Sequence, residues 1–206
     1  MATETNKDLF LGGFAKVLKE KWHTDLRLMA GDSDHFEAIS VHKLVLAARS
    51  EVFKKMLESD MINAFSGTKT ITLSEMKHEE LEILVEFMYS DGVSFSDAKL
   101  KKHVQSLYLA ADRYKIMHLQ DLSRDELISS LNSSNALDLL KLSQIPLDES
   151  LTNACLSFIA RNMNTIVDCG DFRLFVARNP NLAVAITKAF LNPIMDPYED
   201  DSDDYY

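Results

Sequence analysis

Apolar and polar positions change period several times along this chain, and each change predicts an element. Thr24-Asp25-Leu26-Arg27-Leu28-Met29 alternates with a period of two, as a half-buried strand does. Gly31-Asp32-Ser33-Asp34 is turn chemistry, so His35 to Ile39 is expected to return as the second strand of a hairpin. Val41, Leu44, Val45 and Ala48 then fall at helical spacing and predict the buried face of a short helix. Arg49-Ser50 interrupts that stripe. Ser50 is expected to be the N-cap of a second helix, because its hydroxyl accepts a free backbone N–H, and Val52, Phe53, Met56 and Leu57 form that helix's apolar stripe. Thr70-Ile71-Thr72-Leu73 is a further short strand. Leu81, Leu84, Val85 and Met88 mark a helix ending near Phe87-Met88-Tyr89-Ser90-Asp91-Gly92, and Val104, Leu107, Tyr108 and Ala111 mark another.

The two ends of the chain read as helical. Near the N-terminus, Phe10, Phe14, Val17 and Leu18 share one face, while Gly12-Gly13 weakens the helix by ~1 kcal/mol per glycine relative to alanine. So short a helix needs packing to be stable. Beyond Leu119, Asn135-Ala136 opens one helix, and Leu147, Leu151, Ala154, Cys155, Phe158 and Ile159 line a long one. Asn179-Pro180 is an N-cap followed by proline at the first helical position, with Leu182, Ile186, Ala189 and Phe190 behind it. The fold class is therefore α+β: a small mixed sheet among helices, followed by an all-helical extension.

The run Val41-His42-Lys43-Leu44-Val45-Leu46-Ala47-Ala48-Arg49-Ser50-Glu51-Val52-Phe53, followed by Ile71-Thr72-Leu73, Phe87-Met88-Tyr89-Ser90 and Ala111-Asp112-Arg113-Tyr114, resembles the BTB/POZ family in order and spacing, over roughly Trp22 to Leu127. The second half, through Asn135-Ala136, Phe158-Ile159 and Phe172 to Leu182, resembles the shortened BACK domain, or three-box, of speckle-type POZ proteins. The whole looks most like a small plant-type BTB protein without a MATH domain. The resemblance implies an N-terminal helix at 1–23, a BTB core at 24–127, a BACK-like extension at 128–195 and a disordered acidic tail at 196–206.

Composition narrows the function. The tail after Met195 holds six acidic residues and no Lys or Arg, which leaves −4 of the net charge of −10 on the rest. A body with no basic cluster argues against nucleic-acid binding. No run of about eighteen apolar residues is present, so no membrane span is expected. Cys155 and Cys169 lack metal-ligand spacing and read as reduced thiols of a cytoplasmic or nuclear protein. The tail is a solvated end or, through Tyr198, Tyr205 and Tyr206, a short acidic-aromatic docking peptide; Ser202 stands among its acids. No nucleophile elbow, phosphate loop or paired metal-binding histidines occur, so neither an enzyme, a cofactor nor a metal site is expected.

What the resemblance implies is protein interaction. In dimeric BTB proteins the N-terminal helix packs on the partner subunit, which makes Phe10, Phe14, Leu18, Trp22 and Leu26 the interface candidates; the alternative is packing of the same apolar face within one subunit. Positions matching Asp25 and Lys43 form a charged pocket near that interface, against the alternative of an exposed Asp cap and an exposed Lys. Many BTB proteins bind the cullin-3 N-terminal domain as substrate adaptors of a RING ubiquitin ligase. Phe53, Leu57, Met61, Ile62, Asn63, Phe65 and Tyr89 are the corresponding candidates here. Met61 takes the hydrophobic place of the family's hydrophobic-x-Glu motif, and Asn63 stands where that motif has Glu. The implied partners are cullin-3, a second copy of the chain and a substrate protein that the sequence does not name. The competing reading is a homo-oligomeric scaffold or transcriptional co-regulator without cullin binding.

Overall fold

The computed structural model describes residues 6–32, 37–60, 69–90, 97–168 and 170–192, without the side chains of 6–11, 59–60 and 97. The chain divides into two compact units, residues 1–126 and 127–206, and each is described by itself.

The first unit is built on a three-stranded mixed sheet of order β2-β1-β3. Strand β1 (Leu26–Ala30) pairs antiparallel with β2 (Ile39–Val41), Leu26 facing Val41. It pairs parallel with β3 (Lys69–Leu73), Leu26 facing Lys69 and Ala30 facing Leu73. A parallel pair needs a crossover, and α2 (Lys43–Arg49) and α3 (Glu51–Asp60) lie within it. The period-two pattern acts as expected: Leu26, Leu28 and Ala30 point into the core and Arg27 and Met29 lie between them. Each fully buried leucine contributes roughly 1.5–3 kcal/mol through removal of apolar surface from water.

Helix α1 (Asn6–Glu20) packs on α4 (His78–Ser90), with Leu18 against the core. Its end is a Schellman motif. Trp22 N–H donates to Val17 O (3.3 Å) and Lys21 N–H to Leu18 O (3.0 Å), with Lys21 left-handed at φ 51° where glycine is usual. Lys115, at φ 52°, closes α5 (Asp97–Tyr114) in the same way before α6 (Met117–Ser129) begins. Helix α4 is the most buried element. Its N-terminus is satisfied by two carboxylates: Glu80 accepts from Lys77 N–H (2.9 Å) and Asp32 from His78 N–H (2.8 Å). The turn before α4 packs against Gly31 of the turn after β1, where a Cβ would stand 2.2 Å from the Ser74 carbonyl oxygen.

Ser50 caps α3 as the sequence predicts, its Oγ accepting from Phe53 N–H (3.1 Å). The same hydroxyl donates to the Tyr114 carbonyl, and the Phe53 and Tyr114 rings stack at 4.6 Å. The buried face of α2 differs from expectation. Leu46 is the fully buried residue, Val45 and Ala47 pack against the core, and Leu44 is 77% exposed. The helix is only seven residues long and is held at both ends, so which face turns inward follows from those two attachments rather than from the stripe alone.

In the second unit α7 (Ala136–Ser143), α8 (Glu149–Arg161), α9 (Met163–Val167), α10 (Gly170–Arg178) and α11 (Pro180–Leu191) follow in turn, α8 packing on both α7 and α11. Leu151, Cys155 and Ile159 form the buried stripe of α8, and burial pushes the Cys155 thiol up to about 12. Leu147 is not part of that stripe: it sits before the helix at φ 56° and is 78% exposed. Asp148 is the N-cap, accepting from Leu151 N–H (3.1 Å).

Candidate functional site

At the start of α2 the end of α1, β1 and the end of α4 meet. Tyr89, 2% exposed in the last turn of α4, accepts the backbone N–H of His42 at 2.8 Å. Its hydroxyl also lies 2.7 Å from His42 Nδ1, and His42 Nε2 lies 2.7 Å from the Trp22 carbonyl oxygen. A carbonyl can only accept, so Nε2–H donates to Trp22, and in the tautomer with its proton on Nε2 alone Nδ1 accepts from the Tyr89 hydroxyl. Burial pushes the Tyr89 phenol up to about 12, against the His42 N–H bond and with the added effect of the Asp25 charge. The phenol therefore stays protonated and keeps its donor role at every physiological pH.

Asp25 acts on the same helix. Its Oδ1 accepts the backbone N–H of Lys43 at 2.8 Å, which caps an α2 N-terminus that the His42 side chain leaves uncapped. Asp25 is exposed. In the single chain the Asp25 carboxylate engages the Lys43 main chain and so acts as a helix cap.

The structure separates the interface candidates. Leu26 is fully buried in the core of its own unit, so it has no surface to offer a partner. Leu18 is half-buried and turned to that same core. Phe14 is 37% and Trp22 62% exposed, the Trp22 ring standing edge-on to His23 at 4.3 Å. His23, like Lys21, is left-handed, at φ 54°. Phe10 lies in α1 with its side chain outside the described part. Among the described residues of this unit Leu44 is the most exposed large apolar side chain, although periodicity assigns it to the core.

The cullin candidates divide likewise. Phe53 and Tyr89 are core residues, the first stacked on Tyr114 and the second bonded to His42, and Leu57 is 7% exposed. None of the three presents a contact surface; they brace α3 and α4 from within. Met56, 38% exposed, is the apolar residue on the outer side of α3. Met61, Ile62, Asn63 and Phe65 lie outside the described residues. Behind α3, Glu75 receives the Tyr114 hydroxyl and Arg113 Nη1 (3.1 Å). Burial raises its carboxyl, but the bonds from Tyr114, its own main chain and Arg113 together hold it below the ordinary value.

Among the described residues no group of three or more His, Cys, Asp or Glu is placed to hold a metal ion, and no helix is long and apolar enough to cross a membrane.

Comparison with known proteins agrees with this architecture. The profile of the BTB/POZ domain matches residues 14–131. An Arabidopsis thaliana protein carrying the BTB/POZ name is 59% identical over 190 residues, covering 92% of this chain and 91% of the relative. A BTB/POZ domain-containing protein of the same plant is 58% identical over 192 residues, covering 93% and 85%. A third is 42% identical over 191 residues, covering 93% and 89%. The chain belongs to the BTB/POZ domain family.

Proposed function

We propose that this chain is a homodimeric substrate adaptor of a cullin-3-RING ubiquitin ligase, acting in the cytoplasm or nucleus and carrying no covalent chemistry itself. The observation that carries the reading is the mounting of α3. Ser50, Phe53 and Leu57 fix the helix from inside, leaving Met56 outward on the helix that leads into Met61-Ile62-Asn63. A partner helix meeting such a rigid face, with Met56 as its apolar contact among charged side chains, loses little ordering entropy on binding. The helical second unit supports the same reading, since it resembles the BACK-like extension that enlarges the cullin contact in speckle-type POZ proteins. Dimerisation is assigned to Phe14, Trp22 and Leu44, exposed apolar residues on elements that converge on His42. A standard interface of this kind buries ~1,200–2,000 Å².

Calorimetry with the cullin-3 N-terminal domain tests the reading. Met61→Ala is expected to weaken binding. Asn63→Glu is expected to tighten it by about tenfold, because a charge-assisted hydrogen bond is worth ~1.5–3 kcal/mol against ~0.5–1.5 for a neutral one. Absence of binding by the native chain and both variants would overturn it. Asn63 itself favours a second reading, a BTB scaffold or transcriptional co-regulator that has lost the ligase contact. Binding restored only by Asn63→Glu would support that one.

A further inference from the structure

The helical unit contains a cleft of about 230 Å³ between α7 and α10 that the adaptor reading does not use. Its floor is apolar: Ile166 and Phe175 are buried, Leu137 is half-buried, and Leu174 stands 55% exposed at the mouth. Its ends differ in charge. At one end Asp171 occupies the first turn of α10. At the other, Arg178 in the last turn of α10 lines the cleft, as does Lys141, whose ammonium is paired with Asp138 at 2.6 Å. Among the described residues Arg178 makes no ion pair or side-chain hydrogen bond. The adjoining start of α11 adds to the positive end. Asn179 donates its amide to Phe175 O (3.0 Å) instead of capping the helix, so the first N–H groups of α11 keep their positive potential. The cleft therefore fits a bulky apolar side chain followed by acids at the Arg178 end.

The chain carries a segment of that chemistry in Tyr198-Glu199-Asp200-Asp201. It is also within reach. Helix α11 runs twelve residues away from the cleft, about 18 Å at 1.5 Å per residue. Tyr198 follows Leu191 by seven residues, a span of up to ~24 Å when extended. Tethering raises the effective concentration of such a segment to the millimolar range, so a contact too weak to matter between separate molecules becomes populated within one.

We propose that the cleft is the docking site of the chain's own acidic-aromatic end, with the Tyr198 ring between Leu137 and Leu174 and the acids after it directed at Arg178 and Lys141. The inference stands apart from the adaptor reading, since it does not involve α3 or cullin-3.

The test compares amide ¹H–¹⁵N spectra of the deuterated full chain, the full chain with Arg178→Glu or Tyr198→Ala, and the chain ended at Asn192. Removing the tail is expected to move the signals of Ser134, Leu137, Leu174 and Arg178, and each substitution is expected to reproduce that movement. Arg178 is exposed, so the charge reversal leaves the fold intact, which melting curves check. A synthetic peptide of residues 193–206 is expected to bind the shortened chain and to lose about tenfold in affinity to its Arg178→Glu form, the scale of one charge-assisted bond. Cleft signals identical with and without the tail would overturn the proposal. Movement confined to other residues, or equal peptide binding by both forms, would do the same.

Discussion

The Tyr89 hydroxyl holds His42 twice, accepting its backbone N–H at 2.8 Å and meeting its Nδ1 at 2.7 Å. Through the other ring nitrogen, 2.7 Å from the Trp22 carbonyl, the pair ties the end of α1 to the start of α2 and the end of α4. One buried phenol thus sets the position of the exposed residues on either side of it, Trp22 and Leu44.

Tyr89→Phe is expected to lower stability by ~1–3 kcal/mol, the cost of leaving a buried donor unsatisfied. A denaturant melt reads the loss. The double change with His42→Ala is expected to cost less than the sum of the two single changes, because the residues share one network; strict additivity would sink the coupling.

Leu44→Asp is expected to leave the folded unit intact yet give monomers by light scattering, since the side chain is 77% exposed. Leu26→Ala is expected to do the reverse: about 2–5 kcal/mol of stability lost with a cavity in the core, and no specific loss of dimer at temperatures where it remains folded. If Leu44→Asp stayed dimeric, the assigned interface would be wrong.

Asp25 separates the cap from an ion pair. Asp25→Ala is expected to cost ~0.5–2 kcal/mol and Asp25→Asn only a small part of that, because Asn still accepts the Lys43 N–H. Equal losses from the two changes, measured by thermal melting, would show that the charge and not the cap carries the contribution.

Acid should act through Glu75. Its folded pKa is lowered below 4.5, so the stability it contributes is present above that value and disappears as pH falls through the folded value. Tyr114→Phe removes one of the bonds that hold it down. Its acid limb of stability below pH ~5 is expected to be shallower than that of the native chain. Parallel acid limbs would show that Glu75 owes nothing to Tyr114.

Gly31→Ala places a methyl group 2.2 Å from the Ser74 carbonyl and must move the main chain. A loss of ~1–3 kcal/mol is expected, seen as a fall of several degrees in Tm. An unchanged Tm would mean that the contact between the turns after β1 and β3 yields freely.

Most of the elements were legible along the chain, although Val41, expected on the face of α2, lies in β2 (Ile39–Val41). Leu26, Leu28 and Ala30 alternate because β1 is covered on one face, Ser50 caps α3 because its hydroxyl precedes a helical stripe, and Pro180 opens α11 because its missing N–H is no loss there. These are local consequences of pleat, hydrogen-bonding capacity and ring geometry, and each needs only a few neighbouring residues. Long-range packing decided the rest. Leu44 and Leu46 both suit an inward face, and only the attachment of α2 through Asp25 and His42 turns Leu46 in and Leu44 out. Phe53, Tyr89 and Leu26 have the chemistry of contact residues, but Tyr114, His42 and the sheet claim them for the core. A sequence gives each residue's capacity to bury or to bond; which capacity is used depends on partners tens of residues away, such as the 47 between His42 and Tyr89.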